Sequence, residues 1–337
     1  MGVVRSERPG LIIHLGNRKT GSTSLQGFLS KNEDVLRGSK NVNFVRLGRK
    51  HISHNQLFRL MRGTGAENIW TSIAEEVAAA PDKTHLMSSE LFFDMDIAQQ
   101  MAAHMPARLR SGLRLVVYLR RQDSYLEAMY KQMTKNGRVR TAPADYVKRL
   151  GPELGGYAAI LSTFDTVAGQ KAIIVRPFER SRLKNGDTIA DFFGLLGLEV
   201  DDHEFTPPAH AANETLSRAA SQLLGALSRN TKMNTREIAR EILRGDDAPP
   251  RRSGDVFRLS ERREIMARFA EENASVVARY LRGDGSPLFT MTDLTDSAPD
   301  PYPDPEEEAH LFAEAQDKTA AAIGRIDQRD RAKLFRG

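Results

Sequence analysis

The stretch LIIHLGNRKTGSTSLQGFL, residues 11–29, decides the fold. Leu11 to Leu15 is an apolar run of strand length, and from about Thr23 to Ser30 the pattern reads as a helix. The loop between them carries Arg18, Lys19 and Gly21, with hydroxyls on Thr20, Ser22, Thr23 and Ser24. A helix N-terminus offers unpaired backbone N–H groups and the positive end of the helix dipole. Gly21 permits close approach, the hydroxyls add donors and Lys19 adds a full charge, so the loop is a candidate site for a tetrahedral anion. The competing reading is a capped helix after a glycine turn, with Arg18 and Lys19 merely solvated. Local chemistry leaves both open. Gly16 and Gly21 have the separation of the nucleotide-triphosphate loop, but that loop needs Lys directly after the second Gly. Here Ser22 follows Gly21, and Lys19 stands two residues before it.

Outward from this stretch, short apolar runs recur at Val42 to Val45, His85 to Ser88, Leu113 to Leu119 and Ala172 to Val175. Amphipathic patterns lie between them, which predicts an α/β fold: a three-layer, P-loop-like parallel sheet flanked by helices. In Gln122 to Lys135, Leu126, Met129, Tyr130 and Met133 recur at helical spacing and are expected to face the sheet. Asp187 to Leu196 reads as a helix stopped by Gly197. After Pro207 and Pro208 the strand signals end. Asn213 to Leu227, Thr235 to Leu243 and Ser260 to Leu281 read as helices of a C-terminal subdomain. The expected division is an α/β core over 1–205, a helical cap over 206–295, and 296–337 as a Pro/Asp linker with a charged helix. That last helix, about Glu306 to Leu334, reads as solvated or partner-binding.

A second anchor is VVYLRRQDSYLEAMY, where an apolar strand ends in Arg120 and Arg121 and a helix begins at once. Arginine's planar fork suits phosphate oxygens, although an arginine pair at a strand end is also a common surface feature. Taken together, KTGSTSLQ after an apolar strand and this Arg-ended strand resemble sulfotransferases that use 3′-phosphoadenosine 5′-phosphosulfate (PAPS). The likeness is to the glycan-modifying and bacterial branches. VRPFERSRLKNGDTIADFFGLLGL and the ANETLS segment at Ala212 to Ser217 resemble the bacterial members as well, so the likeness spans about Leu11 to Leu227 and more loosely reaches Phe289.

The resemblance implies that Lys19 contacts the bridging or leaving oxygen, and that the backbone from Thr20 to Ser24 cradles the 5′-phosphate. It implies Arg120 as the 3′-phosphate ligand, with Arg121 the alternative of the pair. The family's serine eight residues after that Arg is Ala128 here; Ser124, one helical turn earlier, is the available substitute. It further implies PAPS as the sulfuryl donor, a glycan or small-molecule acceptor, and no required metal.

Sulfuryl transfer needs a base for the acceptor proton and cations for the leaving phosphate. Glu90 ends THLMSSE at the carboxyl end of a strand, where open parallel sheets place ligands. The resemblance, in which many glycan-modifying members carry a Glu base at the end of the strand before the arginine strand, implies it as the preferred base; a plain helix N-terminal carboxylate is the alternative. His54 and His51, in RKHISHNQLF, are further base or acceptor-contact candidates, or simply exposed residues. The region from His51 to Met61 and the helical cap are expected to line the acceptor pocket. His85 and His14 read as structural and Trp70 as core. His51 and His54 have a metal-like spacing, but no third ligand stands near, so no metal is assigned.

Bulk properties bound the rest. The 337 residues carry 28% charged and 40% hydrophobic residues with a net charge of +5, ordinary for a globular protein. That excess is too small to argue for nucleic acid. With no cysteine, disulfides and thiolate chemistry are excluded. No apolar signal core precedes the first strand and no run is long enough to span a bilayer, so the expected compartment is the cytoplasm. Two rivals stay open: an ATP-dependent kinase, and an inactive binding module on the same fold.

Overall fold

The computed structural model describes residues 10–62, 66–139, 141–150, 155–200, 203–207, 216–244, 256–281 and 285–334. Five strands form one parallel sheet: β1 (Leu11–Leu15), β2 (Val42–Phe44), β3 (Thr84–Ser89), β4 (Arg114–Leu119) and β5 (Ile173–Pro177), in the order β2-β3-β1-β4-β5. All five apolar runs predicted from the sequence are these strands, within two residues at each end. Parallel pairing forces a crossover between consecutive strands, which is why a helical pattern separates each run from the next.

Both faces of the sheet are buried, and side chains alternate between them. Ile12, Leu86, Val116 and Tyr118 pack on one face against Leu25, Phe28 and Leu29 of the helix Ser22–Lys31 and Ile189, Phe192 and Phe193 of the helix Thr188–Leu195. Ile13, Leu15, Met87, Leu115 and Val117, equally buried, have the opposite phase. The helix Tyr157–Ala168 packs on β4 and β5, and on the helices Met95–His104 and Ala270–Tyr280. Strand sequences that are apolar throughout are what such double burial demands.

The chain divides into two compact units. The first holds the sheet and comprises residues 1–121, 156–211 and 270–289. The second, 122–155, 212–269 and 290–337, has no strand among its described residues. It is built from helices that include Gln122–Lys135, Arg218–Asn230, Thr235–Arg244, Leu259–Arg268 and Pro305–Leu334.

Three expectations change here. Leu126, Met129 and Tyr130 are buried among Tyr146, Val256, Phe257 and Ile265 of the helical unit, with Met133 packed beside them, and do not face the sheet. Helical periodicity reports that a face is apolar, not which partner covers it. The run from Ser260 to Leu281 is two helices parted at Phe269, whose ring is buried in the second unit. The C-terminal helix is not solvated all round. Ala315 and Ala322 are buried against the helices Arg218–Asn230 and Thr235–Arg244, and Arg329 pairs with Glu237 and Glu241. A stripe of alanines is a weak apolar signal, but it lets helices approach closely. Residues 212–215, which include the expected helix start at 213, lie outside the described residues, as do residues 1–9.

Candidate active site

Each parallel strand delivers its following loop to one edge of the sheet. β1 sends its connection toward β2 and β4 sends its own toward β5, so a topological switch point lies between their carboxyl ends. The register explains what meets there. Leu15 pairs with Ser89, and one step further the Gly16 N–H donates to Ser89 O at 2.8 Å. Gly16 thus lies beside Glu90. A Cβ built on Gly16 would sit 2.8 Å from each of Glu90 Cα, Ser22 Oγ and Ser89 O. Only glycine lets the loop after β1 press this closely on the end of β3.

Beyond Gly16 the loop turns sharply. Lys19 has φ 65° and Gly21 φ 79°, both left-handed, a conformation that a lysine adopts only when its surroundings hold it there. The holding groups are visible. Thr20 Oγ1 donates to Asn17 O at 2.5 Å, Ser22 Oγ donates to the same carbonyl at 3.4 Å, and Arg120 Nη1 donates to Lys19 O at 3.0 Å. The expected ligand-facing hydroxyls therefore divide: Thr20 and Ser22 are buried and shape the loop, while Thr23 and Ser24 are exposed on the first helical turn. Gly21 is the N-cap and has no side chain to cap that turn, which keeps the first N–H groups available. Arg18 is exposed and Lys19 half-buried.

Arg120 is half-buried where β4 ends and lies 5.9 Å from the centre of the Phe178 ring. Its own carbonyl accepts from Tyr157 Oη at 2.6 Å. The structure thus brings Arg120 to the β1 loop. Arg121 ends the first of the three segments of the first unit. Ser124 and Ala128 stand on the helix Gln122–Lys135 of the second unit, both half-exposed.

Glu90 is half-buried and braced by a residue the sequence reading passed over within RKHISHNQLF. Asn55 Oδ1 accepts from Ser89 Oγ (2.8 Å) and from Glu90 N–H (3.1 Å), while Asn55 Nδ2 donates to Glu90 Oε1 (3.4 Å). The neighbouring His54 is fully buried. Its backbone N–H donates to Ser88 O at 2.9 Å, ring Nε2 donates to Val45 O at 2.9 Å and Nδ1 accepts from Ser88 N–H at 3.2 Å. Burial brings its pKa down to about 4. Both ring nitrogens are spent on backbone, so neither is left to meet an acceptor. His54 pins the segment carrying Asn55 to β3. His51 lies exposed in the preceding turn with φ 57°.

His14 and His85 match their structural reading. His14 is buried, hydrogen-bonded through Nδ1 to Ser88 Oγ at 2.8 Å and pushed by burial to about 3. His85 Nε2 bonds Ala80 O at 2.9 Å. Trp70 is fully buried. Among the described residues no three His, Asp or Glu side chains gather as a metal site, and no helix is long and apolar enough to cross a membrane.

No family model matches the chain. An uncharacterized protein of Archaeoglobus fulgidus is 26% identical over 202 residues, covering 58% of this chain and 53% of its own length. The chain thus spans about half the length of that curated relative. Among solved structures, a sulfotransferase from Alicyclobacillus acidocaldarius is 17% identical with a TM-score of 0.43, the match covering 82% of this chain and 97% of that one. The sulfotransferase domain of the curacin biosynthetic pathway gives 13% and 0.37, covering 78% and 98%. The sulfotransferase domain of the Synechococcus PCC 7002 olefin synthase gives 11% and 0.26, covering 78% and 94%. At these values the likeness fixes neither the donor nor the acceptor.

Proposed function

We propose that this chain transfers a sulfuryl group from PAPS to a hydroxyl or amine of an acceptor, with a carbohydrate as the acceptor class. The observation that carries the reading is the convergence at one sheet edge of a helix N-terminus, a lysine, an arginine and a carboxylate. The loop Arg18 to Ser24 runs from β1, Arg120 ends β4 and bonds the Lys19 carbonyl, and Glu90 ends β3 against Gly16.

In this reading the first-turn N–H groups and Thr23 and Ser24 bind the 5′-phosphosulfate, and Arg120, with Arg121 beside it, takes the 3′-phosphate. The acceptor oxygen or nitrogen attacks sulfur as the bond from sulfur to the bridging phosphate oxygen breaks. The electron pair leaves on that oxygen, opposite the charge of Lys19, and the acceptor proton passes to Glu90. A positive charge placed where negative charge develops lowers the barrier without reorganisation. Phosphate and sulfate charge is met by side chains and backbone dipoles in this scheme.

Calorimetric titration with 3′-phosphoadenosine 5′-phosphate, the desulfated product, tests it against ATP with magnesium. Micromolar binding of the former with weak binding of ATP is expected. Tight ATP binding with no binding of the desulfated nucleotide would replace this reading with the kinase one.

A further inference from the structure

We infer that Asn55 is a positioning residue for the Glu90 carboxylate, an inference that rests on Glu90 being the base. Three hydrogen bonds tie one amide to one strand end: Ser89 Oγ and Glu90 N–H both donate to Asn55 Oδ1, and Asn55 Nδ2 donates to Glu90 Oε1. The amide's acceptor is thereby spent on fixing the backbone where β3 ends, and one of its two N–H donors faces the carboxylate. Asn55 cannot drift, because the residue before it is clamped to β3 by its backbone N–H and by one ring nitrogen, the other holding Val45 O. From the other side, Gly16 seats the Glu90 backbone directly against the phosphate loop.

Glu90 is thus held between two elements. The glycine contact sets where its backbone lies relative to Lys19 and the first helical turn. The amide sets which way one carboxylate oxygen faces and leaves the second oxygen, Oε2, for the acceptor proton. A glutamate has three rotatable side-chain bonds, so without such a brace the carboxylate samples several positions. Proton transfer requires one of them. Asparagine suits this task where aspartate does not: the two are the same shape, but only the amide presents a donor to an ionised partner.

Asn55→Asp isolates this role. It keeps both acceptor bonds, from Ser89 Oγ and from the Glu90 N–H, while replacing the donor with a like charge beside the carboxylate. The expected result is a fall in kcat of about 10- to 100-fold, with KM for PAPS and the affinity for 3′-phosphoadenosine 5′-phosphate unchanged. Ser89→Ala, which loosens the amide without touching it, gives a smaller loss in the same parameter and serves if the first variant folds poorly. Glu90→Gln is measured alongside. If Glu90→Gln retains turnover, the reading of Glu90 as base falls. If Glu90→Gln is inactive while Asn55→Asp and Ser89→Ala keep wild-type kcat, Glu90 stands and the role given to Asn55 is overturned. A parallel loss of nucleotide affinity in Asn55→Asp would likewise overturn it, since that marks a residue that merely supports the loop.

Discussion

His54 and His14 show how burial redirects a residue whose chemistry looks functional in a sequence. An imidazole in a polar segment after a strand is a reasonable base, but desolvation favours its neutral form. His54 is lowered to about 4 and His14 to about 3, both by burial. In the unfolded chain each titrates near its ordinary value of about 6.5. As pH falls below that value, the unfolded chain takes up protons that the folded chain refuses. Stability is therefore full above pH 6.5, and declines until the folded histidines themselves titrate. The expected outcome is a melting temperature that already falls between pH 6.5 and 5, above the carboxylate range. A flat profile over that interval would show that these imidazoles are not held neutral. Glu90 and Lys19 were legible as candidates because their charges stand at a strand end and in a glycine turn. Asn55 was not, since an amide gains its role only from what it faces.

At the scale of elements, the strand–loop–helix of residues 11–29 was the clearest part of the sequence, and it folds as a unit with β3. The loop shape depends on two glycines for different reasons: Gly21 for its positive φ, and Gly16 for its absent side chain. Gly16→Ala would place a methyl group 2.8 Å from two backbone atoms and the Ser22 hydroxyl. Backbone must move, because none of the obstructing atoms at β3 is the end of a flexible side chain. Overpacking of this kind destabilises by about 1–3 kcal/mol. The variant is expected to lose nucleotide affinity as well, since the same shift carries the first helical turn away from Glu90. Chemical denaturation and calorimetry of one preparation check both effects, and wild-type affinity in Gly16→Ala would mean that the loop binds nothing at this position. The helix Gln122–Lys135 gives the opposite lesson. Its apolar stripe was read correctly as a stripe and assigned the wrong cover, because Leu126, Met129 and Tyr130 suit a sheet and a helix cluster equally well.

Across the whole molecule, the helical unit is organised around charges that no periodicity reveals. Arg262 is buried and donates through Nη1 to Asp123 Oδ2 at 2.8 Å and through Nη2 to Glu127, whose other oxygen lies 3.4 Å from Lys131 Nζ. Two helices distant in sequence, Gln122–Lys135 and Leu259–Arg268, are joined by this network. A second bracket stacks Arg218 and Arg258 on the Tyr302 ring at 4.3 and 4.1 Å, with Arg218 also paired to Glu308. Breaking a buried pair from one side strands the other charge. Arg262→Met removes the guanidinium that bonds the buried Asp123 and Glu127 carboxylates, and is expected to cost about 3–5 kcal/mol. The midpoint of urea unfolding, followed by circular dichroism, checks this. An unchanged midpoint would mean that water already reaches the network.

The sequence by itself determined the α/β class, the five strands and the glycine-turned loop after the first of them, because these depend on local properties: apolar runs, turn glycines and the spacing of charges. Tertiary structure alone decided the rest. It chose the cover for each amphipathic face, spent Thr20, Ser22 and His54 on internal bonds, set Asn55 against Glu90, and buried four charged side chains together. The decisive pairings lie far apart in sequence, Asn55 with Glu90 and Arg262 with Asp123 among them. A linear pattern records which groups are present, and only the folded register decides which of them meet.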